Sequence, residues 1–207
     1  MKRPMPLHRL FLVAAVAVLQ SQVALAAASY RLAEWPAAAP QPDFQLVDMN
    51  GHRRGLKDYA GEVSIVFFGY THCPDVCPTE LLKLSQVVRA LGPLASQVQV
   101  LFVSLDPERD TPELLKDYVT SFDPRFIGLT GSKAEINAAA TSFSVQFAKV
   151  SLGNDYTIDH STGSYVIDQT GRLRLVGTMQ NSPDDWAQDL RTLVGEGFPN
   201  RPNSTKK

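Results

Sequence analysis

The sequence has few cysteines and no excess of charge of either sign, and each shortage excludes a class of protein. Only two of its 207 residues are cysteines, so it is not a small secreted protein held together by a disulfide framework. Its 20 lysines and arginines are balanced by 21 aspartates and glutamates. Without a basic surface, no nucleic-acid partner is expected. The composition, 44% hydrophobic and 20% charged, predicts one globular domain.

The N-terminal segment has the features of a secretory signal. Three basic residues precede the apolar run 10–19, and Ala24-Leu25-Ala26 supplies a small-residue cleavage pattern. The alternative is an uncleaved membrane anchor, but the polar residues 20–22 interrupt the apolar run. We therefore predict a signal peptide, or failing that an anchor, over residues 1–26. The mature protein is expected in the periplasm, an oxidising compartment, either free or tethered to the inner membrane.

Three further segments follow this leader. Residues 27–42 are rich in alanine and proline and lack a regular hydrophobic period, so they are predicted to be a linker. A folded domain is predicted over residues 43–197, and a flexible polar tail over residues 198–207. No pattern indicates a second domain.

The predicted domain alternates strand and helix patterns. Asn50-Gly51 supplies the positive φ angles of a tight turn and predicts an N-terminal β-hairpin. The almost continuously apolar run 63–68 is typical of a strand buried on both faces. The later segments are a helix from Pro78, a strand at 98–105, a helix capped by Thr111, a short strand at 126–129, a helix opened by Ser132, a hairpin at 164–176 and a last helix at 182–194. This order predicts the α/β class, with a central mixed sheet flanked by helices.

Two irregular segments remain inside the domain. Residues 145–158 are polar with scattered aromatic side chains and are predicted to form a hairpin insertion that precedes a loop carrying His160. Asp106-Pro107-Glu108-Arg109-Asp110 is predicted to be a loop that caps the following helix. The alternative is that its charges face a partner, since it should lie at the same sheet end as the cysteines.

Both cysteines lie in one short stretch after the first buried strand. Cys73 and Cys77 follow the carboxyl end of that strand, where α/β sheets collect reactive groups, and each is followed by a proline that stiffens the turn. The start of the next helix favours thiolate over thiol at Cys77. Two thiolates at this spacing suit either a redox couple or the binding of a soft metal ion.

The chain resembles the Sco/SenC family of copper-binding assembly proteins for cytochrome c oxidase in two motifs, Gly69-Tyr70-Thr71-His72-Cys73-Pro74-Asp75-Val76-Cys77-Pro78 and Asp159-His160-Ser161 with the following Tyr165-Val166-Ile167-Asp168. The resemblance implies a thioredoxin-like fold and copper held by the sulfurs of Cys73 and Cys77 and a nitrogen of His160. It also implies a role in maturing the dinuclear copper centre of the oxidase. The implied partners are the copper-bearing subunit of the oxidase and either another periplasmic copper chaperone or a thiol reductase.

The chemistry of these side chains agrees with what the resemblance implies. Two thiolates suit Cu(I), and an added imidazole also accommodates Cu(II), so copper is expected in either state. Asp159 is interpreted either as the residue that orients His160 or as a turn-forming aspartate. His72 is the rival nitrogen ligand, but neighbouring side chains in an extended turn point apart. Zinc is an alternative ion in vitro, with the same three ligands and a water molecule.

The predicted function is that of a metallochaperone and not of an enzyme. The alternative is a thiol-disulfide oxidoreductase that keeps the oxidase cysteines reduced, in which Cys73 attacks and Cys77 resolves the mixed disulfide. Ser161-Thr162-Gly163 lacks the proline that thioredoxin-like reductases carry before the corresponding strand, which weighs against this alternative. A peroxide-reducing enzyme is a third and weaker hypothesis.

Overall fold

The computed structural model describes residues 29–197, which form ten β-strands and four α-helices. The strands are β1 (Ala33–Glu34), β2 (Gln45–Asp48), β3 (Arg53–Gly55), β4 (Val63–Gly69), β5 (Val98–Ser104), β6 (Ile127–Thr130), β7 (Phe147–Leu152), β8 (Asp155–His160), β9 (Ser164–Ile167) and β10 (Leu173–Gly177). The helices are α1 (Val76–Ala90), α2 (Pro112–Thr120), α3 (Lys133–Ser142) and α4 (Pro183–Glu196), and short 3-10 helices lie at Leu56–Tyr59 and Gly92–Gln97.

Two of the sequence predictions fall outside the described residues. These are the signal peptide or anchor over residues 1–26 and the polar tail over residues 198–207. Within residues 29–197, none of the helices combines the length and the apolar character needed to cross a membrane.

Eight strands form one mixed sheet in the order β1-β10-β9-β4-β5-β6-β2-β3. Strands β4, β5 and β6 run parallel, and β9 pairs antiparallel with β4. All seven residues of β4 are buried, because strands lie on both of its edges and helices cover the sheet. Helix α1 packs against α4, α2 packs against β6, and α3 packs against β2. The predicted mixed sheet flanked by helices is confirmed.

Local capping interactions set the helix boundaries. The Thr111 hydroxyl accepts a hydrogen bond from the backbone N–H of Leu114, and Ser132 with Glu135 forms a reciprocal capping box at the start of α3, both as predicted. Helix α1 differs from its prediction, because it begins at Val76 and not at Pro78. A proline is tolerated in the third position because the first N–H groups of a helix have no intrahelical acceptor.

The segment predicted to be a linker is attached to the sheet over its described part. Strand β1 pairs antiparallel with β10, with Ala33 opposite Val176. Leu32 is buried, and the backbone N–H groups of Arg31 and Leu32 both donate to the carboxylate of Asp189 at 2.8 Å. The prediction failed because two strand residues and one buried leucine are too few to give a hydrophobic period.

Two hairpins agree with the sequence predictions. Strands β2 and β3 form the predicted N-terminal hairpin. Its turn differs from the prediction, because Gly51 adopts a positive φ of 85° but Asn50 does not, so the expected pair of positive φ angles is absent. Strands β7 and β8 form a separate two-stranded sheet with Phe147 opposite His160, and Gly153 in their turn has a φ of 65°. This second hairpin, called the His160 hairpin below, ends on the histidine that the sequence singled out.

The close approach of Gly177 to Trp186 provides a test of core packing. A Cβ atom on Gly177 would lie 2.0 Å from Cζ2 of the fully buried Trp186, so Gly177→Ala should overpack the contact between β10 and α4. We expect it to lower the free energy of unfolding by about 1–3 kcal/mol in urea denaturation. Gly195→Ala is the matched control, because no atom lies within 4 Å of its added Cβ and alanine favours the helix. Equal stability of the two variants would contradict this packing.

Candidate metal centre

The end of β4 and the start of α1 position the two cysteines. Cys77 lies in the first turn of α1 and is fully buried, whereas Cys73 lies in the preceding loop and is half-buried. Gly69, the last residue of β4, leaves the space that the Cys77 sulfur needs. A Cβ atom there would lie 2.8 Å from Cys77 Sγ and 2.8 Å from the ring of Phe102. The sulfur of Cys77 is therefore fixed directly against the end of the central strand.

A buried aspartate holds the loop that leads to the cysteines. Asp110 is 1% exposed, and its carboxylate accepts hydrogen bonds from the Thr71 backbone N–H (3.0 Å), the Thr71 hydroxyl (2.6 Å) and the Ser104 hydroxyl (2.6 Å). Asp106 in the same loop is also fully buried. The alternative prediction, that the charges of this loop face a partner, is therefore wrong for Asp106 and Asp110, because both side chains are buried inside the domain.

A second buried carboxylate joins the cysteine helix to the strand after the His160 loop. Glu80 lies one turn after Cys77 and accepts a hydrogen bond from the hydroxyl of Ser164, the first residue of β9, at 2.9 Å. Lys83 Nζ lies 2.7 Å from the other oxygen of Glu80 and forms an ion pair with it. Because charges are costly to bury, Glu80 needs both partners, and its hydrogen bond with Ser164 fixes the helix relative to β9.

His160, at the end of β8, meets Cys77 across a separation of 83 residues. Its Nε2 lies 3.7 Å from Cys77 Sγ, and its Nδ1 lies 2.8 Å from the carbonyl oxygen of Ser161. A carbonyl oxygen only accepts, so Nδ1 carries the proton and the lone pair of Nε2 is directed towards the sulfur. The rings of Phe67 and Tyr70 lie 6.5 and 6.2 Å from the imidazole centroid. The ring also borders an open depression of about 500 Å³ and is not sealed inside the protein.

The two thiols differ in protonation. The pKa of Cys73 is lowered to about 5, chiefly because the Cys77 thiol donates a hydrogen bond to it and the backbone N–H groups of Cys77 and Asp75 also contribute. The Cys77 N–H lies 3.4 Å from Cys73 Sγ. The pKa of Cys77 is raised, first by its hydrogen bond to Cys73 and then by burial. The pair therefore consists of a half-buried thiolate and a buried thiol.

The spacing of Cys77 and His160 fits two ligands of one ion. Metal–sulfur and metal–nitrogen bonds of about 2.3 and 2.0 Å at tetrahedral to trigonal angles place the two donor atoms about 3.5–3.8 Å apart. The observed 3.7 Å lies within this range. Among residues 29–197, however, no three His, Cys, Asp or Glu side chains already form a complete metal-binding group. Cysteine sulfur and imidazole nitrogen are donors that suit a soft ion. A site that also used Cys73 would require its sulfur to move towards Cys77 and His160.

Asp159 and His72 both point into solvent. Asp159 lies within β8, so it is neither the turn-forming aspartate nor the residue that orients His160. Asp159 is exposed, and in the described chain none of the hydrogen bonds of the His160 ring involves it. The carbonyl of Ser161 takes the orienting position, which no side-chain pattern could reveal. His72 is exposed, and its Nδ1 lies 3.0 Å from the Thr71 hydroxyl and 3.9 Å from Asp110.

A sequence model of the family described as SCO1/SenC matches residues 33–195, which include both cysteines and His160. The chain belongs to the SCO1/SenC family. The family that the two motifs indicated is therefore confirmed. This SCO1/SenC protein is 37% identical over 152 residues to a SCO2-like protein of Rickettsia felis, across 72% of this chain and 74% of that one. It is 42% identical over 139 residues to the human mitochondrial SCO2 homolog, across 65% of this chain and 52% of that one.

Solved structures of SCO1/SenC relatives have the same fold. Bradyrhizobium japonicum ScoI with copper bound superposes with a TM-score of 0.70 at 44% identity, covering 75% of this chain and 99% of that one. Yeast Sco1 with copper bound superposes with a TM-score of 0.71 at 32% identity, covering 82% of this chain and 96% of that one. The predicted thioredoxin-like fold is confirmed by this likeness.

The difference between the two thiols in this SCO1/SenC protein can be measured by alkylation. We expect limiting iodoacetamide to modify Cys73 at least about tenfold faster than Cys77, because Cys73 is the more exposed thiol and is ionised. Its rate should change little between about pH 6 and 8, since this range lies above its lowered pKa. Peptide mass spectrometry measures the ratio. In urea-unfolded protein the two rates should converge, and equal rates in folded protein would contradict the assignment.

Proposed function

We propose that this protein binds copper through Cys73, Cys77 and Nε2 of His160 and delivers it to the copper-bearing subunit of cytochrome c oxidase. The observation that carries the proposal is the 3.7 Å contact between His160 Nε2 and Cys77 Sγ, with the imidazole already in the tautomer that a metal requires. Support comes from the two solved relatives with copper bound, at 44% and 32% identity. The oxidase as recipient is supported by the motif resemblance.

The donor set suits transfer of an ion better than permanent storage. Thiolates favour Cu(I), and the imidazole allows Cu(II) to bind in the same place. Three protein ligands leave the ion open to a fourth ligand from a partner. Because Cys73 is half-buried and His160 borders an open depression, such a ligand can approach from solvent. Copper is then the cargo of this protein, and ligand exchange is the transfer step.

The proposed cellular location rests on the N-terminal sequence, residues 1–26, and not on the described structure. A signal-like segment precedes the domain, which supports a periplasmic protein that is either released or held at the inner membrane. A periplasmic copper chaperone would supply the ion, and a thiol reductase would keep Cys73 and Cys77 reduced.

The thiol pair supports a second function in thiol-disulfide exchange. The Cys73 thiolate attacks one sulfur of a partner disulfide, forming a mixed disulfide and releasing the first partner thiol. Cys77 then loses its proton and attacks Cys73 Sγ, which releases the second partner thiol and leaves a Cys73–Cys77 disulfide. The partner gains two electrons and this protein loses two. The lowered pKa of Cys73 is the observation that favours this reaction.

Replacement of His160 tests the copper site. We expect His160→Ala to lower Cu(I) affinity by at least about tenfold in anaerobic competition with a chelator, because loss of a ligand should cost no less than loss of an outer hydrogen-bond partner. His72→Ala is the matched control, since His72 is exposed, and should leave affinity unchanged. Cys73→Ser and Cys77→Ser should each weaken binding more. If His72→Ala weakens binding and His160→Ala does not, the proposed ligand set is wrong.

The same variant separates the two functions. We expect His160→Ala to reduce a model disulfide at close to the wild-type rate in metal-free protein, because the reacting sulfurs belong to Cys73 and Cys77. Cys73→Ser should abolish the reaction, and Cys77→Ser should stop it at the mixed disulfide, which mass spectrometry detects. If the wild-type protein binds copper but does not reduce the disulfide, and Cys77→Ser accumulates no mixed disulfide, the second function is excluded.

A further inference from the structure

The His160 hairpin stands outside the main sheet and must be held in place for its histidine to reach Cys77. It forms its own two-stranded sheet, and residues 148–152 of β7 are all exposed. Ile158 is the one fully buried side chain in the two strands. With so little apolar surface buried, the hairpin is only weakly attached to the rest of the domain. A two-stranded hairpin is also only marginally stable by itself. Other contacts therefore have to fix it.

Arg109 supplies the most extensive of these contacts. Its guanidinium carbon lies 3.7 Å from the centroid of the Tyr156 ring in β8 and 5.9 Å from that of Tyr70 beside the cysteine loop. Its Nη1 donates to the carboxylate of Asp155 at 3.0 Å and to the carbonyl oxygen of Tyr156 at 3.2 Å. Its Nε donates to Asp106 at 2.5 Å. One side chain thus holds the hairpin through its backbone, a ring and a carboxylate.

Asp106 makes this attachment cooperative. It is fully buried, and its two oxygens accept separately from Arg109 Nε and from the Tyr156 hydroxyl at 2.7 Å. Removal of either Arg109 or the Tyr156 hydroxyl leaves the buried carboxylate of Asp106 with one hydrogen bond fewer. This loss destabilises the folded protein, because an unpaired charge is unfavourable in a low dielectric. Arg109, Asp106 and Tyr156 are therefore a single unit, called the clamp here.

The loop that carries Asp106 and Arg109 also holds the turn that leads to the cysteines. Asp110, one residue after Arg109, accepts from the backbone and hydroxyl of Thr71, two residues before Cys73. Tyr70 adds a direct link, because its hydroxyl lies 2.7 Å from that of Thr157 in β8. The loop from Asp106 to Asp110 therefore touches both halves of the site. The position of this loop is fixed by its buried residues Asp106 and Asp110, and no metal ion is needed to hold it.

We propose that Arg109, with Asp106 and Tyr156, is a positioning residue that keeps His160 Nε2 against Cys77 and so sets how long the site retains a metal ion. The part about retention rests on the proposed copper function. Without the clamp the hairpin keeps the buried Ile158, the partly buried Phe147, the hydrogen bond between Tyr70 and Thr157 and an ion pair between Lys149 and Glu108. We expect these contacts to be too few to keep His160 against Cys77. The cysteines keep their positions, because Asp110 and Gly69 fix them without the hairpin.

The first test uses metal-free, reduced protein. We expect Arg109→Gln to increase amide hydrogen exchange in β7 and β8 by about tenfold or more, since it removes several hydrogen bonds to charged groups. Exchange in β4 and β5 should not change. The nuclear Overhauser effect between the His160 ring and the Cys77 β-protons should weaken. Arg53→Gln is the matched control, because it makes the same replacement at an exposed ion pair with Glu135 and should change neither signal.

Tyr156→Phe keeps the test decisive if Arg109→Gln fails to fold. It removes only the hydroxyl that donates to Asp106 and preserves the ring against Arg109. We expect a smaller increase in hairpin exchange, of about threefold to tenfold. Wild-type exchange in both variants, or equal increases throughout β4 and β5, would overturn the proposal.

The second test is a double-mutant cycle on the rate of Cu(I) release to a chelator. Arg109→Gln should raise this rate about tenfold in the wild-type background, as replacements of residues that orient ligands commonly do. In the His160→Ala background it should raise the rate less than about twofold, because the clamp acts through that histidine. Equal effects in both backgrounds would overturn the positioning role. If the wild-type protein binds no Cu(I), the proposed copper function fails, while hydrogen exchange and the Overhauser effect still decide whether the clamp positions His160.

Discussion

The contact between His160 and Cys77 is the constraint on which the rest of the site depends. It joins a sulfur buried at the end of the central strand to an imidazole 83 residues away on a hairpin outside the sheet. The two sides are fixed differently. Cys77 is held by the core, since Gly69 leaves space for its sulfur and the first turn of α1 places it there. His160 is held by polar contacts between its hairpin and the 106–110 loop, outside the hydrophobic core, so its position is the easier of the two to change.

Buried carboxylates connect the parts of this site that the hydrophobic core does not reach. Glu80, Asp106 and Asp110 are each 1% exposed or less, and each has partners in a different element or loop. A buried charge costs several kcal/mol unless its partners stay in place. Each of these residues therefore restricts motion between the segments it joins, namely α1 with β9, the hairpin with the 106–110 loop, and that loop with the cysteine turn. The geometry around the cysteines is consequently more rigid than a loop of this length would otherwise be.

Features that depend on neighbouring residues could be predicted from the sequence, whereas features that depend on residues far apart in the chain could not. The buried strand β4, the caps at Thr111 and Ser132 and the β2–β3 hairpin were evident from the sequence, because each depends on a few neighbouring residues. The pairing of β1 with β10 and the burial of Asp106 were not, because their partners lie far along the chain. The partner that orients His160 was sought among side chains, at Asp159. It is a backbone carbonyl, which every residue carries and no sequence pattern distinguishes. Arg109 was noted only as part of the capping loop. Its contacts with the His160 hairpin were not predicted, since a charged residue in a loop normally faces solvent.

The asymmetry of the two cysteines has the same consequence for both proposed functions. A partner approaching from solvent meets Cys73 first, because it is the half-buried thiolate, while Cys77 is buried against β4. In metal transfer, the bond to Cys73 is then the one that an incoming ligand can replace first, and Cys77 with His160 retains the ion until exchange is complete. In thiol exchange, Cys73 forms the mixed disulfide and Cys77 resolves it. One arrangement of burial and hydrogen bonding thus gives the same order of events in either proposed reaction, with Cys73 first and Cys77 second.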